Sequence, residues 1–373
     1  MSIIQALLIP QKSLCTNCTI VQGAPPMKRP KLLAVFCAIA ISIACARPNL
    51  AESDETTGSA KSEVSASSSD KSTARGKRPR IGLALGGGGA RGAAHVGVLK
   101  VLAEEGVPID IIAGTSIGSV VGGLYSAGVP ISTMSQEFED GKMMKEFTPL
   151  APVFRILLAP VIFTPRLFGY EPYDGLYKGV QFRTYVNKLV TKPDHEIEHL
   201  PTRFAAVCTN VVDGESVRIS QGNLGVALQA STAVPGLRKP VQIGDNLYCD
   251  GGLICNVPVN HVREMGADFV IAVDIDERLN PTELKKFRVP GSVSKQALRI
   301  QLAHSDKPLC KEADVVIHPN TDGITLISRK AIDGRRGYQS GVEAARQAMP
   351  EIKRKLAALG VELVADNKSS QAQ

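Results

Sequence analysis

Residues 83–102 read LALGGGGARGAAHVGVLKVL, an apolar run that leads into four consecutive glycines, an arginine and then a helical pattern. A turn of this kind, between a strand and a helix, presents backbone N–H groups to a negatively charged group. Three anions are compatible with it: a dinucleotide pyrophosphate, a nucleotide phosphate, or an oxyanion that exists only during a reaction. The residues that follow this stretch distinguish among the three.

The spacing G-x-G-x-x-G over residues 87–92 matches the fingerprint of dinucleotide-binding folds. That fingerprint requires an acidic residue at the end of the next strand, where it holds a ribose. The next apolar run, Ile109–Ala113, has Asp110 near its beginning and leads into GTSIG at residues 114–118. A nucleotide phosphate loop is excluded as well, because no Gly-Lys-Ser/Thr closes the glycine run. We therefore predict no cofactor.

The GTSIG sequence has the pattern G-x-S-x-G between a predicted strand and a predicted helix. Gly114 and Gly118 permit a sharp turn that exposes the Ser116 hydroxyl, and the start of a helix favours negative charge there. Parallel strands place this turn and the glycine loop at one edge of the sheet, where backbone N–H groups meet the oxyanion formed when Ser116 attacks a carbonyl. The predicted donors are Gly87, Gly88 and Gly89, and Gly92 completes the loop. The opening stretch thus indicates a hydrolase.

A nucleophilic serine needs a base, and the chain has six histidines. We predict that His95 packs in the core and that His195 and His199 are solvated. His261, one turn into a predicted helix, is the best candidate for a histidine triad, ahead of His304 and His318.

Asp250 is a stronger candidate for the base than any histidine. In the sequence LYCDGGLICNVPV it follows a predicted strand and directly precedes Gly251 and Gly252, which allow a tight backbone turn. The alternative is an aspartate that only stabilises this turn. Arg91, in the glycine loop, has two possible roles, bracing the loop or binding a lipid phosphate, and we favour bracing.

These three motifs, in this order, resemble those of the patatin-like phospholipase family, especially its bacterial members and the neuropathy-target-esterase group. The resemblance extends from about Ile81 to Ala345 and includes the phrases FAAVCTNVVDGESVRIS and ALQASTAVPG. It implies a Ser116–Asp250 dyad without histidine, hydrolysis of lipid acyl esters, and a phospholipid or lysophospholipid substrate at a membrane surface. One departure is Leu237-Arg238-Lys239, where the family commonly has a bulky apolar run. The alternative function is a non-catalytic, membrane-associated lipid-binding protein on the same fold.

Short apolar runs alternate with helical patterns from Ile81 onward, which predicts a three-layer α/β/α sandwich with a largely parallel sheet. The predicted strands are Ile81–Leu85, Ile109–Ala113, Phe204–Val211, Val217–Ser220, Leu247–Cys249, Phe269–Val273 and Val315–His318. The predicted helices are Ala90–Glu105, Ser116–Ala127, Gly175–Val190, Leu224–Thr232, Pro258–Met265 and Tyr338–Leu359. We place the hydrolase domain at residues 81–350 and a helix end and tail at 351–373.

The segment from Met143 to Phe168 is apolar but contains four prolines and Arg155. It is predicted to be neither a membrane-spanning helix nor a regular strand. It is either a buried cap or an apolar mouth of the site, and we expect the part from Pro149 onward to contact bilayer or acyl chain.

The N-terminal part of the chain has the features of an export signal. Basic residues after Met27 precede an apolar run, Leu32–Ala44, that suits a signal peptide, so we assign residues 27–46 to one. We expect the bacterial cell envelope, either as a periplasmic protein or as a lipoprotein anchored at Cys45, with a cytoplasmic protein as the alternative if the segment is not processed. We expect residues 1–26 to be an extension that precedes the signal, with a mis-assigned start as the alternative, and residues 47–80 to be a Ser/Thr/Lys-rich disordered linker.

Charge and cysteine content exclude some functions. The net charge of +7 owes much to a short basic run near the linker that has no interleaved aromatic residues, so nucleic-acid binding is not predicted. No second cysteine pair or histidine lies at zinc spacing from Cys15 and Cys18, so no metal site is predicted. The oligomeric state and the pairing of the last four cysteines stay open: Cys208, Cys249, Cys255 and Cys310.

Overall fold

The computed structural model of the protein describes residues 78–149, 173–191, 194–279, 281–289 and 291–363. The predicted extension, signal peptide and most of the linker therefore lie outside the described residues. The last linker residues differ from the prediction: Arg78 donates to the Asp110 carboxylate at 2.6 and 2.7 Å, and the Arg80 N–H donates to Asp268 at 2.7 Å. No helix in these ranges is long and apolar enough to cross a bilayer.

One sheet of eight strands runs through the described residues. The strands are β1 (Ile81–Leu85), β2 (Ile111–Thr115), β3 (Arg203–Asn210), β4 (Ser216–Ile219), β5 (Val241–Ile243), β6 (Asn246–Asp250), β7 (Phe269–Val273) and β8 (Val315–Ile317). The five strands β3, β2, β1, β7 and β8 lie side by side in that order and are parallel. The seven predicted strands are found within two residues at each end, and β5 is missed because only one of its three residues is buried.

Strand β6 runs antiparallel to β3 and decides where the site forms. Cys208 of β3 pairs with Asp250 of β6, and the preceding residue of β3, Val207, pairs with Thr115 of β2. Strand β4 pairs with both stretches of β3 and so occupies its other edge. Strands β2 and β6 therefore meet end to end along one edge of β3, and their last residues, Thr115 and Asp250, are neighbours there.

The helices are α1 (Ala93–Glu104), α2 (Ile117–Ser126), α3 (Ile131–Glu139), α4 (Lys142–Phe147), α5 (Val180–Leu189), α6 (Leu224–Ser231), α7 (Val259–Glu264), α8 (Ser292–Lys311) and α9 (Ala331–Ala358). Alternate residues of β1 enter two different buried clusters. Leu83 and Leu85 pack with α1, α2 and α9, whereas Ala84 packs with α7. Helices thus cover both faces of the sheet, and the predicted three-layer α/β/α sandwich with a largely parallel sheet is confirmed.

Three helices are missed by the sequence pattern, α3, α4 and α8, and α9 begins earlier than predicted. The predicted helix begins at Tyr338, but α9 begins at Ala331 and includes Gly334 and Gly337. A Cβ on Gly334 would lie 2.2 Å from the Phe138 carbonyl oxygen, and one on Gly341 would lie 2.0 Å from that of Ala94. These glycines therefore let α9 pack closely on α3 and α1 rather than ending the helix.

Candidate active site

Ser116 lies on a strained turn between β2 and α2. Its φ of +53° makes it the sole non-glycine residue with positive φ in the described part of the chain. A Cβ on Gly114 would lie 2.4 Å from the Gly118 oxygen, and one on Gly118 would lie 2.2 Å from the Leu85 oxygen. Both glycines of the G-x-S-x-G pattern are thus required by close backbone packing, and the turn directs the Ser116 side chain away from the helix.

Asp250 contacts the Ser116 hydroxyl directly. The Oγ of Ser116 donates to Oδ2 of Asp250 at 2.6 Å, and the other carboxylate oxygen accepts the Gly252 N–H at 2.9 Å. A Cβ on Gly251 would lie 2.5 Å from the Val207 oxygen, so the first glycine of the DGG turn permits its close approach to β3. Burial raises the pKa of Asp250 to about 6. The carboxyl group therefore remains ionised near neutral pH while its proton affinity is increased.

The end of α6 and the residues directly after it hold both Ser116 and Asp250. The Ser116 N–H donates to Oγ of Ser231 at 2.9 Å, and Ser231 in turn donates to the Val207 oxygen at 2.7 Å. Two residues along the chain, the Ala233 carbonyl oxygen accepts the Asp250 N–H at 3.0 Å. The position of serine and aspartate relative to each other is therefore set by backbone groups and not by their side chains alone.

The glycine loop lies beside Ser116, but its three predicted donors are not equivalent. The Gly87 N–H donates to Asn256, to the side-chain oxygen at 3.1 Å and the carbonyl oxygen at 3.2 Å. This corrects the prediction that Gly87 faces an oxyanion. Gly88 and Gly89, with φ of +158° and +58°, donate their N–H groups to no acceptor among the described residues. They are the donors that remain for an oxyanion.

Arg91 and Gly92 hold the glycine loop in place. Arg91 is buried, its Nε donates to the Ile324 oxygen at 3.0 Å, and its guanidinium pairs with Asp276 at 3.2 Å and Glu277 at 3.1 Å. These contacts support the bracing role. A Cβ on Gly92 would lie 2.3 Å from the Ile117 side chain, so Gly92 permits close packing against α2.

Three polar residues near the loop were not predicted as part of the site. The Asn256 side-chain N–H group donates to Asp276 at 3.1 Å and to Asp306 at 2.9 Å. Burial raises the pKa of Asp276 to about 6 and that of Asp306 to about 7. Asn256 begins the NVPV sequence, which closely follows the DGG turn. This short distance along the chain from Asp250 could have placed Asn256 in the predicted site. Asp306 lies on α8, a helix that the sequence pattern misses, so nothing in the sequence connected it to this site.

A cavity of about 170 Å³ lies over Ser116 and Asp250. The glycine loop, residues 87–89, forms part of its wall, and the remaining wall is largely apolar. Its apolar residues include Phe147, Val234, Leu237, Leu253, Leu326 and Ile327. The hydroxyl, the carboxylate and the two unpaired N–H groups thus lie in a space suited to an apolar substrate.

None of the six histidines hydrogen-bonds Ser116 or Asp250 in the described part of the chain. His95 is buried, its Nε2 lies 2.7 Å from the Gly86 oxygen, and burial lowers its pKa to about 4. This confirms the predicted core position. His261 is also buried, but its Nε2 lies 2.9 Å from the Ser216 Oγ, so the histidine-triad alternative has no support in this geometry.

Other predictions about this region have mixed outcomes. The start of the proline-rich segment forms α4, which buries Met143, Met144 and Phe147, and residues 150–172 lie outside the described residues. The last four cysteines are free. Within the described ranges no group of three or more histidine, cysteine or acidic residues has the arrangement of a metal site.

Comparison with known proteins identifies the family of the matched region. Residues 83–263 match the patatin-like phospholipase family. Lysophospholipase nte1 of Aspergillus fumigatus is 35% identical over 199 residues, which cover 52% of this chain and 12% of the fungal protein. An uncharacterized NTE family protein of Mycobacterium tuberculosis is 35% identical over 198 residues, covering 53% of this chain and 49% of that protein.

The chain therefore matches less than half the length of these relatives. Among solved structures, the crystal structure of VipD from Legionella pneumophila has a TM-score of 0.43 at 16% identity, covering 74% of this chain and 67% of that chain. The type III effector protein ExoU has a TM-score of 0.35 at 13% identity, covering 77% and 54%.

Proposed function

Because residues 83–263 constitute a patatin-like phospholipase domain, we propose that this chain is a serine hydrolase of lipid acyl esters, with Ser116 as nucleophile and Asp250 as general base. The observation that carries the proposal is the 2.6 Å hydrogen bond from Ser116 to Asp250. It lies in an apolar cavity beside two backbone N–H groups without partners among the described residues. The relatives named as lysophospholipases support a lipid substrate.

In the first step Asp250 removes the proton of the Ser116 hydroxyl while Oγ attacks the ester carbonyl carbon. The N–H groups of Gly88 and Gly89 stabilise the negative charge that develops on the carbonyl oxygen. The tetrahedral intermediate then collapses. The C–O bond to the leaving alcohol breaks, Asp250 returns the proton to that alcohol, and the acyl group remains on Ser116.

In the second step a water molecule replaces the alcohol. Asp250 removes one proton from the water as its oxygen attacks the acyl carbon, and the same N–H groups hold the second oxyanion. Collapse of this intermediate releases the fatty acid and returns the proton to Ser116. A buried carboxylate with a pKa of about 6 suits both roles, since it is ionised at neutral pH and a better proton acceptor than an exposed one.

The cavity wall supports a phospholipid or lysophospholipid substrate presented at a membrane surface. Leu253, Leu326 and Ile327 line the cavity and are 45%, 37% and 42% exposed, so apolar surface continues from the cavity to solvent. We expect Ile327→Ser to reduce hydrolysis of vesicle phospholipid more than hydrolysis of a soluble short-chain ester. The control is Leu284→Ser, since Leu284 is 86% exposed and does not line the cavity. Equal loss on both substrates would contradict action at a membrane surface.

The decisive experiment incubates the purified protein with vesicles of mixed phospholipids and lysophospholipids and follows the products by mass spectrometry. We expect fatty acid release by the wild-type protein and none by Ser116→Ala, with folding compared by circular dichroism. Lipid binding without hydrolysis by the wild-type protein would overturn the proposal and favour the non-catalytic alternative.

For the site of action we propose the bacterial cell envelope, on the basis of the signal-like residues 27–46. The expected mature chain begins near Cys45 or Arg47, the two positions that follow from lipoprotein or ordinary signal cleavage. N-terminal sequencing of the active protein tests this, and an intact Met1 or Met27 would contradict it.

A further inference from the structure

Arg238 is a buried cation without an acidic partner in the described part of the chain. It is 1% exposed and belongs to the segment where the sequence departs from the resemblance, Leu237-Arg238-Lys239. None of the ion pairs in these ranges includes it, and its Nε has no hydrogen-bond partner there. Buried charges without partners are costly, so this one calls for a physical explanation.

The guanidinium of Arg238 is held by aromatic rings and neutral oxygens. It lies 4.7 Å from the centre of the Phe147 ring and 4.8 Å from that of Phe182, in the corner between two nearly perpendicular rings. Its Nη1 donates to Oγ1 of Thr232 at 2.9 Å, and Nη2 donates to the Gly179 oxygen at 3.3 Å. These contacts fix the position of the charge without neutralising it.

The segment that holds Arg238 is the segment that holds the serine and the aspartate. Each of its consecutive residues Ser231, Thr232 and Ala233 accepts one hydrogen bond. The donors, in the same order, are the Ser116 N–H, the Arg238 guanidinium and the Asp250 N–H. The Arg238 N–H itself donates to the oxygen of the next residue, Val234, at 2.8 Å. The cation and the candidate base are therefore anchored on adjacent residues of one short segment.

We propose that Arg238 is a positioning residue that keeps Asp250 in its ionised form, ready to accept the Ser116 proton. This proposal depends on the proposed function. Arg238 does not line the cavity and is not expected to touch substrate. Its charge acts through the low-dielectric protein interior, where a nearby cation favours the carboxylate over the neutral acid.

The other titratable groups near Asp250 do not supply this effect. The thiols of Cys208 on β3 and Cys249 on β6 are neutral, because burial raises the pKa of both. Asp276 also lines the cavity, but it is an anion and is paired with Arg91. Burial raises the pKa of Asp250, and the hydrogen bonds from Ser116 and Gly252 oppose this rise more than the charge of Arg238 does. Arg238 is the described cation that adds to their effect.

The first test compares pH profiles of kcat/KM for Arg238→Met, which removes the charge, and Arg238→Lys, which keeps it. With the charge removed, we expect the midpoint of the acidic limb to move to higher pH, because the carboxylate loses a cation that favours its ionised form. With lysine it should stay at the wild-type value even if kcat falls. A purely structural role would lower activity in both variants and leave the midpoint unchanged, and that result would overturn the proposal.

The second test measures stability and needs no activity, so it stays informative if the wild-type protein proves not to be an esterase. Urea denaturation at pH 8 is compared for the wild-type protein, Arg238→Met, Asp250→Asn and the double variant. Replacing the carboxylate should raise the denaturation midpoint more when Arg238 is absent, because the carboxylate is then uncompensated. An equal gain in both backgrounds would overturn the proposal.

If Arg238→Met alone does not fold, the double variant with Asp250→Asn tests the proposal. Folding restored by Asp250→Asn supports the coupling between the two charges. Failure of both variants to fold shows a structural role and overturns the proposal.

Discussion

Two buried arginines, Arg91 and Arg238, lie near the candidate site, and their surroundings differ. Arg91, under the glycine loop, is paired with the carboxylates of Asp276 and Glu277, whereas Arg238, near Asp250, lies against two phenylalanine rings and neutral oxygens. Both side chains are almost fully buried. The same residue type is thus neutralised by carboxylates at Arg91 and left without an acidic partner among the described residues at Arg238.

This difference corresponds to two physical tasks. A paired arginine contributes rigidity, since several charge-assisted hydrogen bonds define one geometry for the loop that carries Gly88 and Gly89. An unpaired buried arginine contributes an electric field, which here acts on the Asp250 carboxylate. We therefore expect activity to depend on backbone shape at the glycine side of the site, the loop with Gly88 and Gly89. At the aspartate side, around Asp250, we expect it to depend on charge.

The largest expected effect comes from the aspartate side. Asp250→Asn is nearly isosteric and should lower turnover by about 10²–10⁴, the usual contribution of a general base. The matched control is His261→Ala, which also alters a buried polar residue but one that contacts Ser216 rather than the site. Turnover with a short-chain ester measures both. A folded His261→Ala protein as inactive as Ser116→Ala, beside an active Asp250→Asn protein, would establish a histidine triad instead.

On the glycine side, Gly89→Ala should lower turnover by about 10²–10³, the effect of losing one oxyanion donor. Gly89 has φ of +58°, and an added Cβ would lie 2.1 Å from the Leu326 oxygen, so the loop must shift. Gly214→Ala is the control, because Gly214 has φ of +80° but no atom within 4 Å of the added Cβ. Both changes introduce similar backbone strain. Comparable activity of the two variants would show that loop shape does not matter.

The two arginines should differ in their contribution to stability. Arg91→Met leaves Asp276 without its cationic partner and should lower the free energy of unfolding by about 3–5 kcal/mol. Arg238→Met removes an unpaired buried charge, which offsets the contacts that are lost, so its effect should be less than half as large. Urea denaturation at pH 7.5 measures both. Equal losses would remove the distinction between a paired and an unpaired arginine.

The smallest effect is the pH dependence of the wild-type protein. Because the pKa of Asp250 is about 6, kcat/KM should fall about tenfold from its plateau between pH 7.5 and pH 5 as the base is protonated. Stability responds in the opposite direction. A buried acid with a raised pKa contributes stability that is present below pH 4 and is lost as the pH rises through about 6. An acidic limb centred near pH 4 would show that Asp250 is not held in a low-dielectric environment.

The short-range features of this site were predictable from the sequence because each one satisfies a local backbone requirement. Gly114 and Gly118 flank a turn that only glycines permit, and the DGG sequence allows the close approach of Asp250 to β3. The parallel core strands were predictable for a similar reason, since a strand covered on both faces is apolar throughout. Residues 331–337 were not predicted as helix. They include Gly334 and Gly337, and a glycine that ends a helix and a glycine that packs one helix on another look alike in a sequence.

The long-range features depend on pairings that no local pattern encodes. Strand β6 meets the end of β2 on one edge of β3, and this juxtaposition brings Asp250 to Ser116 across 134 positions of the chain. Asn256 accepts the hydrogen bond of the Gly87 N–H and so removes Gly87 from the three predicted oxyanion donors. This contact forms because the loop after β6 packs on the glycine loop. The chemistry of each residue type follows from the sequence, but which charges are neutralised and which donors are free depends on distances and burial, and these exist only once the chain has folded.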